Sequence, residues 1–427
     1  MNPPTASADL ISPLNKGLGP LQHDVAPGDI RALGWNLLRE DLSLPSAVLY
    51  RDKLLHNQQW MRQFIDAYGV RLAPHGKTTM APQLFDLQLQ GGAWGITLAT
   101  AHQVLVAHHH GVRRILMANQ LIGRENMAIV SRLLSDPSFT FYCLVDSAAQ
   151  IDLLAAFFSA HHQRLNVLIE LGVEGGRAGV RDDSQLRSVL DAIDSHRQSI
   201  ALCGIEVYEG VLDNEPAIRE FLERACDVTR RLLAEGLFAQ KPILSGAGSA
   251  WFDVVAEVFT AASFGDQVEI VLRPGCYLTH DVGNYRKAHQ RMLQHNPVAS
   301  HMTPGLEPAL HIWAYVQSIP EPTRAIVSLG RRDAAFDSGL PVPALHYRPN
   351  ASNRASTSKP IPAPAHWETT KLMDQHAYLR IDPADNLRVG DMIAFDICHP
   401  CLTFDKWRTI PILDADYNVV DIAQTFF

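Results

Sequence analysis

Short apolar runs alternate with longer segments of helical periodicity between residues 46 and 301. The short runs are rich in Val, Ile and Leu, as buried strands are, while apolar residues three to four positions apart indicate helices between them. The eight predicted strands are Val70–Lys77, Gly95–Thr100, Arg114–Asn119, Thr140–Val145, Asn166–Leu171, Cys203–Tyr208, Pro242–Ser245 and Val268–Arg273. Eight such units over roughly 230 residues match a (β/α)₈ TIM-type barrel, so we prefer an α/β barrel at 46–301 to an open doubly wound sheet.

Two further segments flank the predicted barrel. Over 302–427, strand-like runs alternate with turn residues and helical periodicity is largely absent, which predicts a smaller C-terminal all-β domain. The Pro-, Ser- and Ala-rich stretch at about 349–366 is typical of a flexible insertion. Residues 1–45 are rich in Pro, Gly and Leu, with one predicted helix at Ile30–Asp41. We expect them to form an arm that packs on the β domain.

Composition narrows the class of partner. The 427 residues are 47% hydrophobic and 19% charged with a net charge of −8, and no run of Lys and Arg occurs. Nucleic acid and anionic membrane surfaces are therefore disfavoured, and a small molecule is the expected partner. No apolar stretch reaches about 18 residues and the start lacks secretory-signal features, so we expect a cytoplasmic protein. Six scattered cysteines do not indicate a disulfide framework.

The predicted strands end in polar or glycine-rich residues, where barrels place their active sites. Lys77 follows His75 at the end of the first strand. Burial and the imidazole would both lower the pKa of its amine, and only a neutral amine forms a Schiff base. Glycine-rich loops, 245–249 and 273–277, follow strands seven and eight, where barrels commonly bind phosphate.

In a closed ring those loops lie next to the first strand. A lysine beside a phosphate cradle is the arrangement that pyridoxal 5′-phosphate requires. Each loop taken alone could instead be a tight strand-to-helix turn, and Arg273 a structural arginine. The joint placement of the loops and Lys77 favours the cofactor site.

A second candidate site is Asp396-Ile-Cys-His-Pro-Cys401. Cys398 and Cys401 could be a redox pair. Such a pair, however, requires a helix N-terminus just after its first cysteine to lower the pKa of that thiol, and 402–427 is predicted to be strands. A buried cysteine and histidine without a ligand is a second interpretation. A third is Zn²⁺, because His399 and Cys401 are two positions apart and would point to one face of an extended chain.

The order of motifs resembles the D-serine dehydratase / D-threonine aldolase family of fold-type III, alanine-racemase-like pyridoxal-phosphate enzymes. The motifs are PHGKT around Lys77, GVEGGRAGV at 172–180, YEG at 208–210, SGAGS at 245–249, RPGCYLTHD at 273–281 and the late His-x-Cys. The resemblance implies that Lys77 is catalytic and binds the cofactor together with His75, Arg177, Tyr208, Ser245, Gly246, Gly248, Gly275 and Tyr277. It implies a metal pair at His399 and Cys401.

The second metal residue indicates the branch. The dehydratase-like branch resembles this chain in having His-x-Cys, whereas the aldolases usually have His-x-Asp, and a thiolate favours Zn²⁺ over Mg²⁺ or Mn²⁺. The resemblance therefore implies dehydration of a D-β-hydroxy-amino acid to a 2-oxo acid and ammonia. Pro400 between the metal residues and Gly76 between His75 and Lys77 depart from the common pattern and leave the substrate open.

Three alternatives remain. An aldolase would cleave the Cα–Cβ bond instead, a racemase would need a second acid/base that we do not identify, and a non-enzymatic cofactor carrier would leave the β domain unexplained. The resemblance also implies a homodimer with the active site at the interface. The segment Gly330–Leu340 could line either that interface or the substrate entrance.

Overall fold

A ring of parallel strands is the centre of the computed structural model, which describes residues 10–349 and 359–427. In chain order the first elements are β1 (Ser46–Tyr50), α1 (Arg51–Tyr68), β2 (Arg71–Leu72), α2 (Pro82–Gln90), β3 (Ile96–Leu98), α3 (Ala101–His109), β4 (Arg114–Gln120), α4 (Arg124–Leu133), β5 (Thr140–Val145), α5 (Ala148–Ala160), β6 (Leu165–Leu171), α6 (Asp183–Ser195), β7 (Ile200–Val207), α7 (Glu215–Ala234), β8 (Ile243–Gly246), α8 (Phe252–Ala261), β9 (Glu269–Leu272) and α9 (Asn284–His295).

The ring follows the order β2-β9-β8-β7-β6-β5-β4-β3, with every neighbouring pair parallel. The edge strands β2 and β3 meet through two backbone bonds, from Trp94 N to Leu72 O (2.7 Å) and from Thr97 N to Pro74 O (2.9 Å). The predicted (β/α)₈ barrel is therefore confirmed. Its carboxyl-end loops all open on one side, which places the candidate site.

The first predicted strand is much shorter than expected. β2 ends at Leu72, and the chain then runs through Pro74 into a 3₁₀ turn at Gly76–Thr78. Proline cannot donate to the strand ladder, and Gly76 packs against side chains of β3, so the chain leaves the sheet before Lys77. Lys77 therefore lies on a turn beyond the strand rather than in it.

The rest of the described chain forms the β domain, a mostly antiparallel sheet with one short helix. Its elements are β10 (Leu310–Glu321), β11 (Arg324–Val327), β12 (Val342–Tyr347), β13 (Ile361–Pro362), β14 (Glu368–Leu372), β15 (Ala377–Arg380), β16 (Met392–Asp396), α10 (Cys401–Phe404), β17 (Thr409–Leu413) and β18 (Val419–Gln424).

This 10-stranded sheet has the order β13-β12-β16-β10-β1-β17-β18, with β11, β15 and β14 extending from β10. β1 pairs antiparallel with β10 and parallel with β17, so residues 46–50, assigned above to the barrel domain, form part of the β-domain sheet. Within the predicted insertion, residues 350–358 lie outside the described residues. Ile361 and Pro362 pair with β12.

The N-terminal arm differs from its prediction. Two 3₁₀ turns, Pro27–Leu33 and Leu37–Arg39, stand in place of the helix predicted at Ile30–Asp41, because Gly34 (φ 64°) reverses the chain between them. The described arm packs on the β-domain sheet, burying Ile30 and Trp35 in one apolar cluster with Trp313. Each such buried large side chain contributes roughly 1.5–3 kcal/mol to stability.

The larger apolar cluster joins the barrel and the β domain. It runs from the helices around the barrel into the β domain, where Phe404 and Trp407 are almost completely buried. In the parts of the chain that the structure describes, no helix is long and apolar enough to span a bilayer.

Candidate active site

Lys77 lies on the 3₁₀ turn at the carboxyl end of β2, and its side chain is solvent-exposed. Its pKa is nevertheless lowered, first because neighbouring protein atoms displace water from the amine and then because Arg177 and Arg273 are cationic. The imidazole of His75 adds no positive charge, since burial holds its own pKa well below the ordinary value. Arg177 and Arg273, and not His75 as the sequence analysis expected, therefore supply the positive charge that lowers the pKa of Lys77.

His75 and Gly275 lie against each other below this turn. A Cβ atom on Gly275 would stand 2.6 Å from His75 O and 2.7 Å from Thr78 Oγ1, so no side chain fits there. His75 Nδ1 is buried without a hydrogen-bond partner. The loop after β9 thus comes directly against the lysine turn, as the ring closure predicts.

Arg177 and Tyr208 contact each other near the lysine turn. The guanidinium carbon of Arg177 lies 4.7 Å from the centroid of the Tyr208 ring, and this cation–π contact orients both side chains. Arg177 is exposed and Tyr208 partly buried, so a flat ligand can reach them. Arg177 and Tyr208, which the resemblance assigns to the cofactor, thus lie side by side, and their contact with a cofactor stays a prediction.

Arg273 is fixed below the site by a buried network that the sequence analysis missed. Its Nη2 bonds Glu206 Oε1 in an ion pair and donates to Val207 O at 3.1 Å, and its Nε donates to Ser245 Oγ at 3.1 Å. Arg273 and Glu206 are 4% and 1% exposed. The Ser245 hydroxyl in turn donates to Val271 O at 3.0 Å. Ser245 therefore positions the arginine from inside the strand layer.

The loop after β8 turns its amides toward a carboxylate of the same chain. Gly248 N donates to Glu209 Oε1 at 2.6 Å and Ala247 N to Glu209 Oε2 at 3.1 Å. Ala247 has φ 85°, which turns neighbouring amides to one side and suits an anion. Gly246 is buried in β8, where a Cβ would stand 3.1 Å from Val207 Cγ2. The phosphate-cradle assignment of this loop stays a prediction.

The loop after β9 is bonded to the loop after β8 in the same way. Ser249 Oγ accepts from Gly275 N at 3.2 Å and from Cys276 N at 3.0 Å. The Tyr277 side chain points away into the core, where its hydroxyl accepts from Gln88 Nε2 at 3.3 Å. The two predicted phosphate loops are thus one connected unit, with Ser249 as the residue that sequence reasoning did not single out.

His399 and Cys401 reach the site from the β domain. Residues 402–427 were predicted as strands, but α10 begins at Cys401, so the extended-chain reason for a shared face is wrong. His399 Nδ1 bonds Asp337 Oδ2 at 2.7 Å, which leaves Nε2 for another partner. The hydrogen bond to Cys401, together with Asp337, raises the pKa of His399 to about 9.

Cys401 contacts the lysine turn itself. Its sulfur lies 3.5 Å from Thr78 Oγ1 and 3.8 Å from Cys276 Sγ. The bond with Cys276 and the proximity of His399 lower the pKa of the Cys401 thiol to about 4, while the bond to Cys401 and then burial raise the pKa of Cys276. Cys401 is therefore a thiolate at neutral pH, with Cys276 as a protonated neighbour.

These donors fit both predicted groups. A thiolate and an imidazole held by a carboxylate suit zinc, and an amine of lowered pKa beside fixed arginines suits an anionic aldehyde cofactor. No set of three or more His, Cys, Asp and Glu side chains within 10–349 and 359–427 is already arranged to hold a metal ion. The structure thus brings the predicted pair together without a complete coordination set.

Comparisons with known proteins agree with the fold and the motifs. Residues 49–278 match the alanine racemase N-terminal domain and residues 309–413 the putative serine dehydratase domain. A D-threonine aldolase of Arthrobacter sp is 24% identical over 365 residues, 82% of this chain and 89% of that protein.

Two solved structures cover nearly the whole chain. D-threonine aldolase from Filomicrobium marinum is 23% identical with a TM-score of 0.73, covering 94% of this chain and 98% of its own. D-threo-3-hydroxyaspartate dehydratase from Delftia sp. HT23 is 24% identical with a TM-score of 0.70, covering 92% and 99%. A cysteine-to-alanine variant of that dehydratase is known in a metal-free form. This chain belongs to the alanine racemase N-terminal domain family, and within it to the D-serine dehydratase / D-threonine aldolase group of pyridoxal-phosphate-dependent lyases.

Proposed function

We propose that this protein dehydrates a D-β-hydroxy-amino acid, of the D-serine, D-threonine or D-threo-3-hydroxyaspartate type, to a 2-oxo acid and ammonia. It would use pyridoxal 5′-phosphate and Zn²⁺. The observation that carries the proposal is the 3.5 Å contact between Cys401 Sγ and Thr78 Oγ1, because Thr78 is next to Lys77. A metal held by Cys401 and His399 would lie within reach of a substrate hydroxyl at the lysine turn.

Each residue of the site has its own role in the proposed reaction. Lys77 would hold the cofactor and would accept the Cα proton of the substrate, and its lowered pKa favours the neutral amine that both roles need. Arg273 keeps a permanent cation below the site, since guanidinium does not deprotonate in proteins. His399 and Cys401 would hold the metal, with Asp337 orienting the imidazole. When bound, the cofactor supplies an electron sink and the metal a Lewis acid for the departing hydroxyl.

The thiolate is the reason to prefer zinc and dehydration. Soft thiolate ligands select Zn²⁺ over the harder Mg²⁺ and Mn²⁺. The bond with Cys276 and the proximity of His399 lower the pKa of Cys401, so its sulfur can bind as a thiolate. The pKa of His399 is raised, so the imidazole gives up a proton when it binds the metal. The homodimer implied by the resemblance and the cytoplasmic location expected from the sequence remain proposals alongside it.

Retro-aldol cleavage is the second candidate. It is favoured by the coverage of the match to a D-threonine aldolase, 82% of this chain. Such a reaction would use the same lysine and metal residues but would yield glycine and an aldehyde. The two reactions are therefore separated by their products.

The test is a product assay on the purified protein with pyridoxal phosphate and Zn²⁺. D-serine, D-threonine and D-threo-3-hydroxyaspartate are supplied in turn, and ammonia, 2-oxo acid, glycine and aldehyde are measured. Ammonia and 2-oxo acid in equal amounts support dehydration, whereas glycine with aldehyde decides for the aldolase. Turnover should be lost after thorough treatment with EDTA and restored by Zn²⁺. Activity that survives metal removal contradicts the zinc role.

Borohydride reduction tests the lysine separately. It should fix the cofactor to Lys77, as read by peptide mass spectrometry, and Lys77→Ala should carry no fixed cofactor. Attachment at another lysine would refute the assignment.

A further inference from the structure

Cys276 lies where the barrel and the β domain meet the lysine turn. It follows Gly275 in the loop after β9 and is 3% exposed. Its sulfur is 3.8 Å from Cys401 Sγ and 3.8 Å from Thr78 Oγ1, and neither cysteine is in a disulfide. A buried cysteine usually packs as a small apolar side chain, but this one faces the sulfur of Cys401 and a hydroxyl. Its surroundings are those of a ligand.

The distance between the two sulfurs matches a metal site. Two thiolates on tetrahedral zinc, each about 2.3 Å from the ion, stand about 3.8 Å apart. The observed Cys276–Cys401 separation is 3.8 Å, far longer than the roughly 2.05 Å of a disulfide. Both sulfurs can therefore bind one ion without moving relative to each other.

We propose that Cys276 is a third protein ligand, so that His399, Cys401 and Cys276 hold Zn²⁺ and leave one position for the substrate oxygen. Three protein ligands and one open position are typical of catalytic zinc. The inference rests on the proposed function for the metal and extends its ligand set beyond the His-x-Cys pair.

His399 has to close on the two sulfurs when the metal binds, because the described residues contain no ready set of three ligands. The imidazole is the side chain free to do so. The side chains of His399 and Asp337 are 24% and 43% exposed, while Cys276 is buried. Asp337 occupies Nδ1, so Nε2 is the atom available to the ion. The ion would then join the loop after β9 to the turn before α10.

A second thiolate also changes the chemistry. Two thiolates neutralise the charge of Zn²⁺, so the ion is held more tightly and discriminates more strongly against Mg²⁺ and Mn²⁺. Binding requires Cys276 to lose its proton, which passes to solvent.

The experiment compares three full-length proteins loaded with pyridoxal phosphate: wild type, Cys276→Ser and the matched control Cys398→Ser. Cys398 is also buried, yet its sulfur donates to Leu340 O at 3.3 Å. Zinc affinity is measured by competition with a chromophoric chelator. The sulfur-to-metal charge-transfer absorbance is measured after replacement by Co²⁺.

Cys276→Ser should lower zinc affinity by more than about 10-fold and roughly halve the charge-transfer absorbance per cobalt. Cys398→Ser should match wild type in both. Equal affinity and equal absorbance in Cys276→Ser and wild type overturn the proposal, as does the loss of a thiolate signal in Cys398→Ser.

X-ray absorption at the zinc edge on wild type needs no variant, so it remains decisive if Cys276→Ser does not fold. Two sulfur ligands per zinc support the proposal, and one sulfur or no bound zinc overturns it. The proposed function fails separately: two sulfur ligands in a protein that yields neither product pair leave the site intact and refute the reaction. Dehydration by a protein whose zinc has one sulfur ligand supports the proposed function and overturns Cys276 as a ligand.

Discussion

Gly76 offers a test of how tightly the lysine turn is packed. A Cβ at this position would stand 2.8 Å from Ile96 Cγ2, 2.8 Å from Phe85 Cε1 and 3.0 Å from Leu98 Cδ2. All three neighbours are fully buried, so none can swing into solvent. Carbon atoms prefer about 3.5–4.0 Å, so Gly76→Ala must push the turn or its neighbours apart by roughly 0.7 Å. Overpacking of this kind costs about 1–3 kcal/mol.

The strain should reach the chemistry, because Lys77 is the next residue. A displacement of about 1 Å at a reacting group can cost roughly 100-fold in rate. We expect Gly76→Ala to unfold at lower urea concentration and to release product about 10- to 100-fold more slowly, with the cofactor still attached. Both are measured on the same preparation, by tryptophan fluorescence and by the product assay.

The matched control is Gly28→Ala. Gly28 lies in the arm, and no atom comes within 4 Å of a Cβ built there. Its effect should stay within about 0.5 kcal/mol, as for ordinary surface changes. Wild-type stability and turnover in Gly76→Ala would refute the packing argument, and equal losses in Gly28→Ala would show that the effect is not local.

Two further predictions follow from the charged groups. Asp337→Asn should lower metal affinity about 10- to 100-fold in chelator competition, because His399 loses the carboxylate that orients it, and an unchanged affinity would contradict this role. Burial raises the pKa of Glu206 from 4.5 to about 7, although Arg273 lowers it. The protonated carboxyl is favoured on folding, so this contribution is present below pH 4.5 and lost as the pH rises through about 7. Wild type should lose about 3 kcal/mol between pH 4.5 and 8 that Glu206→Gln does not lose, and parallel urea-midpoint profiles would show otherwise.

The alternation of strands and helices was enough to predict the barrel and its open end. It could not predict that β1 belongs to the other sheet, because a short apolar strand carries no mark of its partner. The same limit applies to the turn at Lys77. Its apolar run reads as one long strand, and only the packing of Pro74 and Gly76 shows where the sheet stops.

The candidate site shows a similar division. Lys77, His399 and Cys401 could be singled out by residue type and motif, and the structure brings His399 and Cys401 to the lysine turn. Asp337 could not be singled out from the sequence, because His399, the residue that it orients, lies 62 positions away along the chain. Glu206 did leave a signal, a lone carboxylate inside an apolar strand-like run. Its pairing with Arg273 could not be predicted, because Glu206 lies in β7 and Arg273 lies in the loop after β9, and only the folded barrel brings them together.

The position of β1 has a consequence for biosynthesis. The arm and β1 are synthesised before the barrel, whereas their partners β10 and β17 are synthesised after it. The barrel can therefore begin to fold while the apolar side chains of Ile30 and Trp35 still lack the sheet that covers them. A chain truncated before β17 would therefore leave these apolar side chains partly uncovered. The strands β10, β17 and β18, synthesised after the barrel, thus cover the apolar side chains of the arm that precedes it.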